Sequence, residues 1–260
     1  MEITESIDFE RRFGGTARLF GERGFARIRA ARICVVGIGG VGSWAAEALA
    51  RSAVGRVTLI DMDHIAESNT NRQIHALGDT YGRAKIEAMA ERMRAIDPRI
   101  GIDLVDDYLS PENAEALLSQ GFDAVLDCID HVRSKVAIAA CCLATKSPLV
   151  MCGASGGKTD PSRIVVEDIA RAIQDPLLSG VRRILRKENG LPRDGRKMGL
   201  TVITSNEPLL RPAPDDAASG VDGPAPQGLS CAGYGSVVTV TATFGLMAAG
   251  HALRAVAKAR

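Results

Sequence analysis

The chain is poor in aromatic residues, 4% of 260, with a single Trp. A core of stacked rings is excluded, and abundant Ala and Gly point instead to closely packed small aliphatic side chains. An excess of one charge is also missing: 32 Lys and Arg face 31 Asp and Glu, a net +1. Affinity for nucleic acid or a membrane surface must therefore come from a local patch. Six cysteines are present, Cys34, Cys128, Cys141, Cys142, Cys152 and Cys231, but no C-x-x-C pair. With Cys34, Cys128 and Cys152 in apolar runs, the cysteines read as small buried hydrophobes in a reducing cytoplasm, not as a disulfide framework. His64, His75, His131 and His251 show no metal-ligand spacing. Residues 1–13 are charged and lack an apolar core, so no signal peptide is expected. No internal repeat is visible.

One long apolar stretch stands out. Residues 233–256 approach the length of a membrane span, with His251 and Arg254 as the only basic residues and no acid. The β-branched "VVTVTAT" at 237–243 reads as a buried strand leading into a helix. Peripheral or C-terminally anchored attachment to the inner membrane is the alternative.

The remaining pattern alternates. Strands are expected at 33–37, 57–60, 100–105, 124–128 and 149–152, with helices at 43–52, 82–96, 111–119 and 133–145 between them. That order specifies an α/β fold: a doubly wound, mostly parallel, Rossmann-like sheet. We read a single domain over 1–260. An N-terminal helical arm at 7–31, interrupted by "FGG" at 13–15, precedes a nucleotide-binding core at 32–160. A substrate-facing part follows at 161–260, ending in a C-terminal strand and helix extension. It includes strands near 163–168 and 201–204, a basic helix at 175–188 and a proline-rich loop at 210–227 expected to be flexible.

"GIGGVG" follows the first strand and opens a helix. Gly37 permits the tight turn, Gly39 lets backbone approach a phosphate, and Gly42 lets helix and strand pack; Gly40 lies in the same loop. Asp61 falls 19 residues after Gly42, at the end of the second strand, where a carboxylate meets ribose hydroxyls. The motif alone fits NAD as well as ATP. The residues downstream favour ATP, because a triphosphate needs cations and a carboxylate for Mg²⁺. "SNTNRQ" supplies Asn69 and Arg72 on a short polar helix or turn, Lys85 begins the next helix, and "DCID" ends strand four with Asp127 and Asp130. In an open α/β sheet all of these converge on one crevice.

"GIGGVG", "LIDMDHIAESNTNRQ", the Lys of "YGRAKIEAM" and "DCID" resemble the ubiquitin-activating superfamily of adenylating enzymes. The resemblance implies that Asp61 holds the ribose, that Asn69, Arg72 and Lys85 hold the triphosphate, and that Asp130 binds Mg²⁺ with Asp63 nearby. It implies a homodimer as well. Two departures matter. The sulfur-carrier members carry two C-x-x-C pairs for zinc; this chain has none, so no zinc is expected. Their N-terminal arginine, which reaches the neighbouring subunit's ATP, aligns with Gly15; Arg12 and Arg18 lie close, and Arg18 is the candidate.

"RFGGTARLFG", "IQDPL" and "TVTATFG" extend the resemblance to one branch, the tRNA threonylcarbamoyladenosine dehydratases. That branch implies ATP-dependent cyclisation of N6-threonylcarbamoyladenosine in tRNA through an acyl-adenylate, releasing AMP and pyrophosphate. The alternatives are adenylation of a sulfur-carrier C-terminus and a role as sulfur acceptor for a cysteine desulfurase. Seven basic residues, Arg182, Arg183, Arg186, Lys187, Arg193, Arg196 and Lys197, face only Glu188 and Asp194 in their segment and are the candidate tRNA contacts. The segment has no aromatic for base stacking, which leaves Tyr234 or the proline-rich loop. Cys231 reads as structural, and the "GASGG" turn at 153–157 offers carbonyls to a monovalent cation.

Overall fold

The computed structural model describes residues 8–210 and 234–259. Most of the proline-rich loop, and Cys231, lie outside the described residues. The short apolar runs form the centre of a parallel sheet: β1 (Arg32–Val36), β2 (Arg56–Ile60), β3 (Gly101–Val105), β4 (Ala124–Asp127) and β5 (Leu149–Cys152). Helices α2 (Gly42–Arg51), α3 (Lys85–Ile96), α4 (Ala114–Leu118) and α5 (Val132–Thr145) make the crossovers. β4 and β5 are buried along their whole length, as strands covered on both faces must be.

The chain then adds β6 (Ile164–Asp168), α6 (Pro176–Glu188) and β7 (Thr201–Ser205). The sheet order is β3-β2-β1-β4-β5-β7-β6, parallel throughout except for the β6–β7 pair. The expected doubly wound sheet is thus present. Its winding reverses between β1 and β4, so their C-terminal ends open a crevice.

Two apolar layers flank the sheet. Ile28, Val35, Leu49, Met89 and Phe244 belong to one, Leu118, Ile138, Leu178 and Leu185 to the other. The cysteines behave as hydrophobes. Cys34 and Cys152 are buried free thiols, and burial pushes the Cys142 thiol up to about 12.

Two local expectations fail. The "VVTVTAT" segment is no strand. Apart from Val237, its N-cap, it begins α7, a continuous helix over Val238–Lys258. Val240, Phe244, Ala248 and Ala252 recur every four residues and are all buried, so tertiary burial overrides the β-propensity of the branched residues. The same burial gives the apolar stretch a partner inside the fold. The N-terminal arm, α1 (Phe9–Ala30), does not break at 13–15. Phe13 is buried there against Phe9, ring centroids 4.8 Å apart, which holds the turn helical. The kink falls at Gly21 instead, with φ 71°.

α7 rests on α2, the helix that follows the glycine loop. A β-carbon at Gly245 would stand 2.3 Å from the Val41 carbonyl oxygen. The C-terminal helix therefore braces the loop from behind only while residue 245 is glycine. Gly245→Val is expected to destabilise the chain by about 1–3 kcal/mol. Urea denaturation checks this, and an unchanged midpoint would contradict the contact.

Candidate nucleotide-activating site

The crevice between β1 and β4 is a cleft of about 260 Å³. Gly37, Gly39, Gly40, Asp61, Asp63, Arg72, Lys85 and Asp130 all line it. Residues from five separate sequence segments thus meet where the strand order reverses. The glycine loop has the geometry its spacing implies. A β-carbon at Gly42 would fall 1.8 Å from the Gly37 carbonyl oxygen, so the α2 N-terminus approaches β1 only with glycine there. Among the described residues a β-carbon at Gly39 would meet nothing within 4 Å, leaving open space in front of the loop.

Asp61 ties the loop to its surroundings. One carboxylate oxygen accepts the Ile38 N–H at 2.6 Å and the other accepts the Asp63 N–H at 2.8 Å. Burial pushes its carboxyl above the usual range, while Lys85 and the two backbone donors pull it back. Lys85 is the first residue of α3, where a cation faces the positive end of the helix dipole. Asp63 offsets that cost by accepting from Lys85 Nζ at 2.6 Å. An arriving anion finds Lys85 buried, held and aimed.

Arg72 is held from its backbone. Its carbonyl accepts from Trp44 Nε1 at 2.9 Å, and its guanidinium donates to the Ser68 carbonyl and to Asn71 Oδ1. Its aliphatic stem lies over Gly40. Asp130 is exposed at the rim and enters no ion pair among the described residues. Its neighbour Asp127 does the opposite. It is fully buried against Lys135 Nζ at 2.9 Å, on the floor beneath Cys128 and Ile129. Burial raises the Asp127 carboxyl and Lys135 opposes that rise.

Three predicted residues stand elsewhere. Asn69 does not line the cleft; its Oδ1 accepts the Ala66 N–H and caps the 3₁₀ turn Glu67–Asn69 that delivers Arg72. Gly42 lies behind the loop as packing. Arg18 is exposed on α1, outside the cleft lining.

The ThiF family model matches residues 14–260. The chain belongs to the ThiF family. It is 47% identical over 258 residues to tRNA threonylcarbamoyladenosine dehydratase of Escherichia coli K12, covering 98% of this chain and 96% of that one. The Haemophilus influenzae protein of the same name is 43% identical across 93% and 91%. A crystal structure of the E. coli dehydratase in complex with ATP superposes with TM-score 0.86 at 46% identity, covering 96% of each chain.

Within this ThiF-family cleft the sequence reading missed several residues. Gln73, the last residue of "SNTNRQ", lines it, 5% exposed, with Oε1 lacking a hydrogen-bond partner among the described residues. Tyr108 and Leu109 enter from the loop after β3, and Thr241 from α7. Gly153, Ala154 and Ser155, from the "GASGG" turn whose sequence suggested only a carbonyl source for a monovalent cation, also form part of the cleft's rim. That rim is fixed by Asp175, the α6 N-cap, which accepts the Ala154 N–H, the Thr204 hydroxyl and the Leu178 N–H. Only "IQDPL", as a family resemblance, signalled it.

The basic segment is partly committed to structure. Arg182 donates to the Ile169 and Ala172 carbonyls, Arg186 to that of Pro192, and Arg193 to that of Arg186. Arg196 pairs with Asp194. Arg183, Lys187 and Lys197 are exposed and have no side-chain hydrogen bond among the described residues. These three are the cations open to a phosphate.

His75 gives the site's support a pH dependence. It is 2% exposed, and neither ring nitrogen has a hydrogen-bond partner among the described residues. Burial, with Lys85 and Arg92 nearby, lowers its pKa from 6.5 to about 4. The folded state keeps it neutral, so its contribution is complete above pH 6.5 and is lost as pH falls toward 4. This amounts to roughly 3 kcal/mol. His75→Leu is expected to flatten the acid side of the stability profile by that amount. Equal slopes for wild type and variant would contradict it.

Proposed function

We propose that the chain cyclises N6-threonylcarbamoyladenosine in tRNA, using ATP and releasing AMP and pyrophosphate. The observation that carries this reading is the convergence of Arg72, Lys85 and Asp130 on the glycine-loop cleft. The near end-to-end likeness to proteins named for that reaction supports it. A carboxylate is a poor acyl donor until one of its oxygens is bonded to a good leaving group. The threonyl carboxylate attacks the α-phosphorus of ATP and pyrophosphate departs. The threonylcarbamoyl group then closes on the activated carbonyl, and AMP leaves.

Each residue has a task that its surroundings support. Asp61 takes the ribose and holds the loop. The N-terminus of α2 and the loop amides face the phosphates. Arg72 and Lys85 neutralise the charge that gathers on the departing pyrophosphate. Mg²⁺ would be held by Asp130 and the phosphates, with Asp63 as second acid. One or two carboxylates plus phosphate oxygens is its usual protein environment, and the exposed Asp130 carboxylate, in no ion pair among the described residues, fits that role. When bound, the ion supplies charge neutralisation at the phosphates. Ring closure is intramolecular, so alignment and exclusion of water replace a covalent nucleophile.

The enzyme works in this reading as a cytoplasmic homodimer, and the buried stripe of α7 supports that location over a membrane anchor. Arg18 would serve a cleft only from a second copy of the chain. Arg183, Lys187 and Lys197 take the tRNA backbone. Adenylation of a sulfur-carrier tail, or sulfur transfer from a cysteine desulfurase, has no comparable support.

Pyrophosphate release from ATP with modified and unmodified tRNA tests the reading. Release is expected only with the threonylcarbamoyl form, and Asp130→Ala should lower it at least a hundredfold. A wild type that releases none with modified tRNA would overturn it.

A further inference from the structure

Tyr108 is the only aromatic residue lining the cleft among the described residues, and the chain has few to spare. It is 42% exposed, whereas the next residue, Leu109, is 2% exposed. The ring is nonetheless held at both ends. Asn113 Nδ2 donates to the Tyr108 carbonyl at 3.0 Å and to Asp107 Oδ2 at 3.1 Å, and Asp107 Oδ1 accepts the Tyr108 N–H. At the far end Ser134 Oγ donates to the Tyr108 hydroxyl at 3.4 Å. The same Ser134 contacts His131 Nδ1 at 3.0 Å, and the imidazole stands edge-on to the Tyr108 ring, centroids 6.1 Å apart. A fixed, half-exposed ring thus borders the cleft beside Asp130 without being used by the core.

We propose that Tyr108, edged by His131, is the platform on which the purine of the modified tRNA residue stacks. This rests on the proposed tRNA reaction. The threonyl carboxylate must reach the α-phosphate inside the cleft, and its arm to the purine is short, so that purine must lie at the mouth. Val36, Ile60, Leu109 and Ile129 line the interior as an apolar seat for the base of ATP, which leaves the rim ring to the RNA. Loop bases are commonly captured by splaying them out onto aromatic side chains.

The test measures ATP affinity without RNA, and KM and kcat with threonylcarbamoyl tRNA, for wild type, Tyr108→Leu and Tyr108→Phe. The Leu variant should raise KM for tRNA about tenfold, with ATP affinity and kcat within twofold of wild type. The Phe variant keeps the ring and should restore KM. Weaker ATP binding with unchanged tRNA KM would assign the ring to the base of ATP and overturn the proposal. No change in either constant would also overturn it. Should Leu disturb the loop, wild-type binding decides: tRNA abasic at the target position should bind about tenfold more weakly than tRNA with adenosine there, and equal affinity overturns the proposal. A wild type that turns over no modified tRNA defeats the functional reading itself, whereas a Leu variant indistinguishable from wild type defeats only the platform.

Discussion

The carboxylate of Asp61 is the constraint on which the site depends. Its two oxygens accept N–H groups from the ends of two neighbouring strands, Ile38 in the glycine loop after β1 and Asp63 beyond β2. Asp63, placed by that bond, holds Lys85 at the start of α3. One half-buried acid thus sets the loop, the following acid and the cation in a single arrangement. Around it the fold supplies rigidity. Gly42 lets α2 touch β1, Gly245 lets α7 touch α2, and Trp44 on α2 holds the backbone of Arg72. Helix–strand packing and site geometry are therefore one structure, and loosening the former moves the phosphate-facing groups.

Electrostatic preorganisation follows from where the charges lie. Lys85 sits at the positive end of a helix dipole and near Asp61, whose carboxyl burial pushes above the usual range while Lys85 pulls it back. Asp127 and Lys135 form a fully buried pair beneath the floor. Such pairs contribute little net stability, but breaking one is costly, so the pair fixes the end of β4 from which Asp130 projects. Asp175 does the same for the rim at 153–155, joining Ala154 to the first turn of α6. The basic helix and the nucleotide cleft are consequently held by the same side chain.

Much of this was legible in the sequence because it depends on local pattern. Strand–glycine–helix spacing, the acid 19 residues on, the "SNTNRQ" cluster and "DCID" placed five strands, the glycine loop and every charged residue of the cleft lining except Asp107. What escaped depends on long-range packing. β-branching at 237–243 suggested a strand, and burial of one face against α2, α1 and the sheet makes it helix. Asn69 looked like a phosphate ligand because its type and spacing fit, yet its side chain is used by the turn that carries Arg72. Arg182 looked free because sequence counts charges and does not see the two carbonyls it caps. Gln73 and Thr241 sit inside "SNTNRQ" and "TVTATFG", whose pattern gives them no role, and Tyr108 carries no motif; three distant segments bring them to one cleft.

The most direct measurement of the chemistry follows oxygen. Threonylcarbamoyl tRNA labelled with ¹⁸O in the threonyl carboxylate is converted with unlabelled ATP, and the products are weighed by mass spectrometry. Attack of that carboxylate on the α-phosphorus predicts one ¹⁸O in AMP and none in pyrophosphate. Label appearing in inorganic phosphate alongside ADP, or absent from AMP, would contradict an acyl-adenylate and with it the roles given to Arg72, Lys85 and Asp130.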